Sequence, residues 1–197
     1  FWQFAGGYLS PRRSIKPLLF FLLIVAMTLV SVRISLVHSE WYNNMYTSLQ
    51  EFNEPVFWDQ MVLFCVIATS SVMTALLSYY LEQRFSINWI EWLNSQLVDK
   101  WMDNRAYYKT QYVSANLDNP DQRIQQDVQS YVRTSLSLST GVIDAVTSMI
   151  SYTILLWGLA GPMIVFGTEI PRMMVFLVFA YVIITTAIAF RLGRPLI

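Results

Sequence analysis

Four apolar runs, separated by stretches of very different character, set the first expectation for this chain. Pro17 to Val37 is broken only by Arg33, Gln60 to Leu81 holds no charge, about Ser135 to Ala160 contains Asp144, and Met173 to Phe190 is uncharged. Each is close to the ~20 residues a bilayer requires, so the pattern predicts four transmembrane helices (17–37, 60–81, 135–160, 173–190). The first is too long for the apolar region of a signal peptide and lacks an Ala-x-Ala site.

Between the second and third runs lies a stretch, 82–134, that is charged yet patterned. From Leu81 to about Asn104 it contains neither Gly nor Pro, and helix formers fill it. Ile90, Leu93, Leu97 and Trp101 share one helical stripe, and Phe85, Trp89 and Trp92 form a second face. Two apolar faces predict a helix packed on at least two neighbours. At about 1.5 Å per residue, it would project roughly 35 Å beyond Leu81 if straight.

A second helix start follows at Asn119-Pro120-Asp121-Gln122-Arg123-Ile124. Asn119 is a preferred N-cap, Pro120 suits the first helical position, and Asp121 favours the positive end of the dipole. Gln122 can complete a reciprocal cap on the Asn119 backbone. Ile124, Val128, Tyr131, Ser135, Leu138 and Val142 then recur in alternating steps of four and three, a heptad-like seam. Arg123 and Asp127 have the spacing of a helical ion pair, in the weaker order for the dipole. Between the two helices, Tyr107 to Val113 is aromatic, polar and too short for a domain. It is read either as a docking element at the tip or as a surface turn with incidental tyrosines.

Composition agrees with the hydropathy pattern. Hydrophobic residues make up 55% and charged residues 13% of the chain, with a mean hydropathy of +0.42. Soluble domains carry charges nearer a quarter, so the class is a membrane protein. The net charge of zero offers no argument for nucleic acid. Of the 13 Lys and Arg residues, all but Arg33 and Arg172 flank the spans on one side, which the positive-inside rule makes cytoplasmic. The expected N-terminus is therefore cytoplasmic, with His38 to Asp59 as an outer loop. That loop is rich in aromatics (Trp41, Tyr42, Tyr46, Phe52, Phe57, Trp58), read as a headgroup belt or as a gate rimming a path. Pro55 after Asn53-Glu54 predicts a helix start just before the second span. The chain opens without Met and ends at Arg194-Pro195-Leu196-Ile197, and is expected to be part of a longer protein with elements missing at both ends.

Candidate chemistry is sparse. No Gly-x-x-x-x-Gly-Lys-Ser/Thr pattern occurs, and Gly6-Gly7 has no strand–helix context, so no phosphate site and no catalytic residue is expected. His38 and Cys65 are the only residues of their kinds. With no clustered partner, neither suggests a metal site or a Cys/His dyad, and Cys65 reads as a packing residue in mid-membrane. Arg33 is placed to snorkel to the headgroups. Asp144 costs roughly 2.5–3.5 kcal/mol in a lone membrane helix, so it should face a cavity or a partner. It is read as lining a transport path or coupling protons, or as a structural hydrogen bond to a neighbouring helix.

Several motifs carry a resemblance. Trp89-x-x-Trp92-Leu93, Trp101, Ala106-Tyr107-Tyr108, Asn119-Pro120-Asp121-Gln122-Arg123-Ile124-x-x-Asp127 and Leu155-Leu156-Trp157-Gly158 resemble the transmembrane domain of exporter-fold ABC transporters. The nearest branch is the bacterial YddA-like group, related to the SbmA/BacA peptide transporters and the peroxisomal fatty-acyl half-transporters. The likeness covers essentially the whole chain and is strongest from Gln83 to Gly161. At Ile90-Glu91 it departs, since relatives are expected to carry Arg-Glu there.

The resemblance implies an all-α membrane fold with long cytoplasmic helix extensions, here four of six spans, followed by a nucleotide-binding domain. ATP and Mg would sit on that domain, with no cofactor on this part. The implied partners are the lipid bilayer, the nucleotide-binding domain of the same chain, and a second subunit, expected to be a copy of the first; the implied location is a bacterial inner membrane. Residues implied to couple the spans to the nucleotide-binding domain are Tyr107, Tyr108, Tyr112, Asn119, Asp121, Gln122, Arg123 and Asp127, with Asp144 in the transport path. Three functions follow as alternatives: an ATP-driven permease for a peptide-like, cobalamin-like or acyl substrate, a proton-driven SbmA/BacA-type transporter, and a membrane sensor.

Overall fold

The computed structural model describes Tyr8 and residues 15–103, 120–165 and 168–194. Four helices carry the chain: α1 (Lys16–Gln50), α2 (Glu54–Met102), α3 (Pro120–Leu159) and α4 (Met173–Gly193). All four are long and apolar enough to cross a membrane. α2 has 49 residues and α3 has 40. At about 1.5 Å per residue these would run roughly 70 and 60 Å, about twice the ~30 Å hydrocarbon core. α4, with 21 residues, matches the core alone.

α1 runs past the expected end of its span. The segment from His38 onward, expected as a loop, remains helical to Gln50, because it contains no Gly or Pro to stop it. The stop itself is local. Phe52 adopts φ 51, the left-handed region. Its N–H bonds Leu49 O at 3.4 Å, and the Asn53 N–H bonds Ser48 O at 3.0 Å. This is a Schellman closure with Phe where Gly is usual. Asn53 then starts α2 at once, its side chain accepting from the Val56 N–H at 3.4 Å, with Pro in the first turn. Trp41 ties the two helices together by donating from Nε1 to Gln60 O at 2.8 Å. Its ring also lies 4.9 Å from that of Phe64.

The chain divides into two compact units, Phe1–Ala145 and Val146–Ile197. In the first, Ile24 of α1, Leu81, Phe85, Trp89 and Leu93 of α2, and Val128, Val132 and Leu136 of α3 form one core. Most of it lies outside the apolar runs, in the charged stretch. There burial removes apolar surface from water, worth about 1.5–3 kcal/mol per large side chain. Within lipid the same burial gains little, because lipid tails are as apolar as leucine. Accordingly Leu22, Leu23, Leu76 and Leu77 in the spans stay exposed.

The heptad-like seam on α3 holds only in part. Val128 and Ser135 are buried and Ile124 and Tyr131 half-buried, but Leu138 and Val142 are 64% and 62% exposed. The buried line instead follows Val128, Val132 and Leu136. An unstrained helix turns in 3.6 residues, so a 3.5-residue repeat drifts off a straight contact line. Cys65, expected to pack, is exposed as well, since the middle of α2 presents most of its surface outward.

The second unit holds the end of α3, α4 and a small addition to the all-α plan. β1 (Met163–Val165) pairs antiparallel with β2 (Thr168–Ile170). Arg172 then enters α4 at φ 58, and its guanidinium lies 4.7 Å from the centre of the Trp157 ring. That cation–π contact holds a left-handed residue that otherwise costs energy. Val175, buried at the start of α4, donates its N–H to Arg172 O at 3.1 Å.

Candidate functional site

The site is built on the parts of α2 and α3 that extend beyond the apolar runs. α2 ends at Met102, with Lys100 in its last turn, where a cation suits the negative end of the dipole. Asp103 closes it, its N–H bonding Asp99 O. On the return side, Pro120, Asp121, Gln122 and Arg123 form the first turn of α3, as the capping pattern predicts. Gln122, Arg123 and Asp127 are all exposed. Tyr107, Tyr108, Tyr112 and Asn119 lie outside the described residues.

Arg123 and Asp127 do not form the expected ion pair: among the described residues neither has a charged partner. An exposed pair in this order is worth only a few tenths of a kcal/mol, about, too little to fix two long side chains. Both charges are therefore presented outward beside the helix start.

Behind them, aromatic packing stiffens the helices. Tyr8 stacks on Trp89 with ring centres 5.7 Å apart and planes 5° from parallel. Phe85 meets Trp89 edge-on at 5.8 Å, and Tyr8 meets Trp92 at 5.3 Å. Burial, and then the nearby Glu91 charge, push the Tyr8 hydroxyl above its usual pKa. The two apolar faces expected on α2 meet in one core: Leu93 of the first joins Phe85 and Trp89 of the second, with Ile90, Leu97 and Trp92 packed at its edge.

Asp144 is exposed on α3 and has no hydrogen-bond partner among the described residues. Asp144 also has company that sequence inspection overlooked. Arg133, Ser137, Thr140 and Asp144 fall within about 60° of one another at 100° per residue, a polar stripe entering the span. Steps of four, three and four were the available signal.

Where that stripe leaves the apolar run, a cavity of about 400 Å³ opens between α2 and α3. Tyr79, Glu82 and Ser86 line it from α2, and Arg133, Ser137 and Thr140 from α3. Burial raises the Glu82 carboxyl above the usual carboxylate range. No group of three or more metal-ligating side chains occurs among the described residues.

Four helices long and apolar enough to cross a membrane, two of them packed on each other beyond the apolar runs, define a membrane-spanning helical domain. The chain belongs to the family described as ABC transporter transmembrane region 2, whose pattern matches residues 5–197. It is 85% identical over 197 residues, all of this chain and 33% of the relative, to an uncharacterized ABC transporter ATP-binding protein of Haemophilus influenzae. It is 31% identical over 182 residues to the inner membrane ABC transporter ATP-binding protein YddA of Escherichia coli, covering 89% of this chain and 32% of that one. Similarity also reaches the human lysosomal cobalamin transporter ABCD4, 28% identical over 169 residues, 81% of this chain and 27% of that one. The chain spans about a third of the length of these two bacterial relatives. Membership fixes the fold class expected from the motifs: an all-α membrane domain of the ABC exporter type.

Proposed function

We propose that this chain is the permease part of an ATP-driven transporter, in which α2 and α3 pass movement from a nucleotide-binding domain to the spans. The carrying observation is the shared core of Phe85, Trp89 and Leu93 with Val128 and Val132, placed beyond the apolar runs and continued by Leu136 into the third. Two helices so joined move as one body, as force transmission requires. The basic flanks support a cytoplasmic N-terminus and a cytoplasmic position for that body, and the inner-membrane relative YddA supports a bacterial inner membrane. The segment 104–119 connects them there, and its Tyr107, Tyr108 and Tyr112 dock on the nucleotide-binding domain, helped by Asn119, Asp121, Gln122, Arg123 and Asp127. Span boundaries are those of the apolar runs, with 82–134 as the cytoplasmic loop.

ATP and Mg belong to the nucleotide-binding domain, and two copies of the subunit complete the path. Relatives named ATP-binding proteins favour this reading over a proton-driven transporter. The substrate is peptide-like, cobalamin-like or acyl. Replacing Tyr108 or Arg123 with Ala in the full protein should leave membrane insertion intact and weaken substrate-stimulated ATP hydrolysis. Undiminished stimulation in both variants would refute the docking assignment.

A further inference from the structure

The cavity between α2 and α3 has a lining that acyl chains cannot match. Glu82 sits one residue beyond the second apolar run and Arg133 two residues before the third, so the cavity straddles the end of the hydrocarbon zone. Tyr79, Ser137 and Thr140 continue it into the apolar depth. Acyl chains cannot solvate such a lining, so it holds water, protein groups or a polar ligand.

Two charges of opposite sign face this space without neutralising each other. Glu82 is half-buried and Arg133 exposed, and neither makes an ion pair among the described residues. The half-buried Glu82 carboxylate has lost part of its hydration without gaining a cation, so a positive group entering the cavity would be favoured beside it. The volume, about 400 Å³, lies within the range of small-ligand pockets.

The hydroxyls divide the remaining work. Thr140 donates to Leu136 O at 3.0 Å, satisfying its own proton and leaving oxygen lone pairs toward the cavity. Elsewhere in the spans the same device ties Thr28 to Ile24 O, Ser71 to Ile67 O and Thr153 to Met149 O. Ser137 instead makes no such bond to its own helix, so its hydroxyl remains available.

We infer that this cavity is a binding subsite for a zwitterionic ligand group, with Glu82 receiving an ammonium and Arg133 a carboxylate. Each contact is a charge-assisted hydrogen bond, and Arg offers a fork that fits a carboxylate. Ser137, one turn from Arg133 on α3, is placed to donate alongside it, and Tyr79, one turn from Glu82 on α2, lines the same wall as that carboxylate. Among the substrate classes above, this favours a peptide-like cargo with free ends over an acyl conjugate. The inference rests on the transport reading only for the cavity's purpose, since binding itself needs no nucleotide.

The test uses the full-length protein in lipid nanodiscs, without nucleotide, and four calorimetric titrations. The probes are trialanine, N-acetyl-trialanine, trialanine amide and the doubly blocked peptide. Trialanine is expected to bind about tenfold or more tightly than either singly blocked form, since each block removes one charge-assisted bond. Glu82→Gln should erase the preference for a free amino end and keep that for a free carboxylate; Arg133→Gln should do the reverse. Equal binding of all four peptides, no saturable binding of trialanine, or preferences that survive both substitutions would overturn the inference. The peptide series on the unaltered protein stands even if a variant does not fold. ATP hydrolysis, followed in parallel, separates the two readings. Charge discrimination without hydrolysis sinks the ATP-driven reading alone, and hydrolysis without discrimination sinks this subsite alone.

Discussion

Trp89 and Tyr131 meet edge to face between α2 and α3, with ring centres 6.2 Å apart and planes at 75°. Trp89 is 3% exposed and sits at the centre of the core shared by the two helices. Trp89→Ala in the full protein should cost about 3–5 kcal/mol, the range for deleting a buried large aromatic. A thermal melt of the purified protein reads this as a large fall in Tm. Trp89→Phe should be mild by comparison, because the buried indole Nε1 has no hydrogen-bond partner among the described residues. Equal losses in the two variants would mean that the indole N–H, not the packed ring, matters.

Phe52 carries a second prediction. Its left-handed backbone closes α1, yet its side chain is 93% exposed. A β-branched residue suffers most in that conformation, so Phe52→Val should lower stability by about 1–2 kcal/mol. Phe52→Gly should be neutral or stabilising, since Gly adopts positive φ freely. Melting both variants beside the parent protein checks the order, and Gly falling below Val would refute the closure described.

Asp144 supplies a third. It is exposed on the polar stripe that continues from Arg133 through Ser137 and Thr140. If that stripe faces the transported molecule, Asp144→Asn should cut uptake into vesicles severalfold while leaving the amount of inserted protein unchanged. Uptake at the parental rate would remove Asp144 from the path.

Much of this arrangement was legible in residue order because strong local signals agreed. Asn53-Glu54-Pro55 and Asn119-Pro120-Asp121 mark helix starts by chemistry that acts within one turn, and α2 and α3 begin there. Hydropathy placed the apolar runs for the same reason: lipid acts on composition. Three features were less legible. The helical continuation from His38 to Gln50 was hidden by its polar, aromatic composition, although nothing in it breaks a helix. The failure of Leu138 and Val142 to join the seam depends on where a straight helix leaves its neighbour, which spacing alone does not state. Glu82 and Arg133 lie far apart in sequence and share a cavity only once α2 and α3 pack, so neither looked different from a solvated charge.

The central claim is that α2 and α3 behave as one rigid body coupled to ATP. Spin labels at Val98→Cys and Gln126→Cys, both exposed, report on it in the full protein with its native cysteines replaced, Cys65→Ser among them. Dilution with unlabelled subunits restricts the signal to one subunit. Pulsed electron resonance should give one narrow distance between the labels, the same in the nucleotide-free and ATP-trapped states. A distance that splits or shifts by more than about 5 Å, one helical turn, on ATP binding would contradict the account.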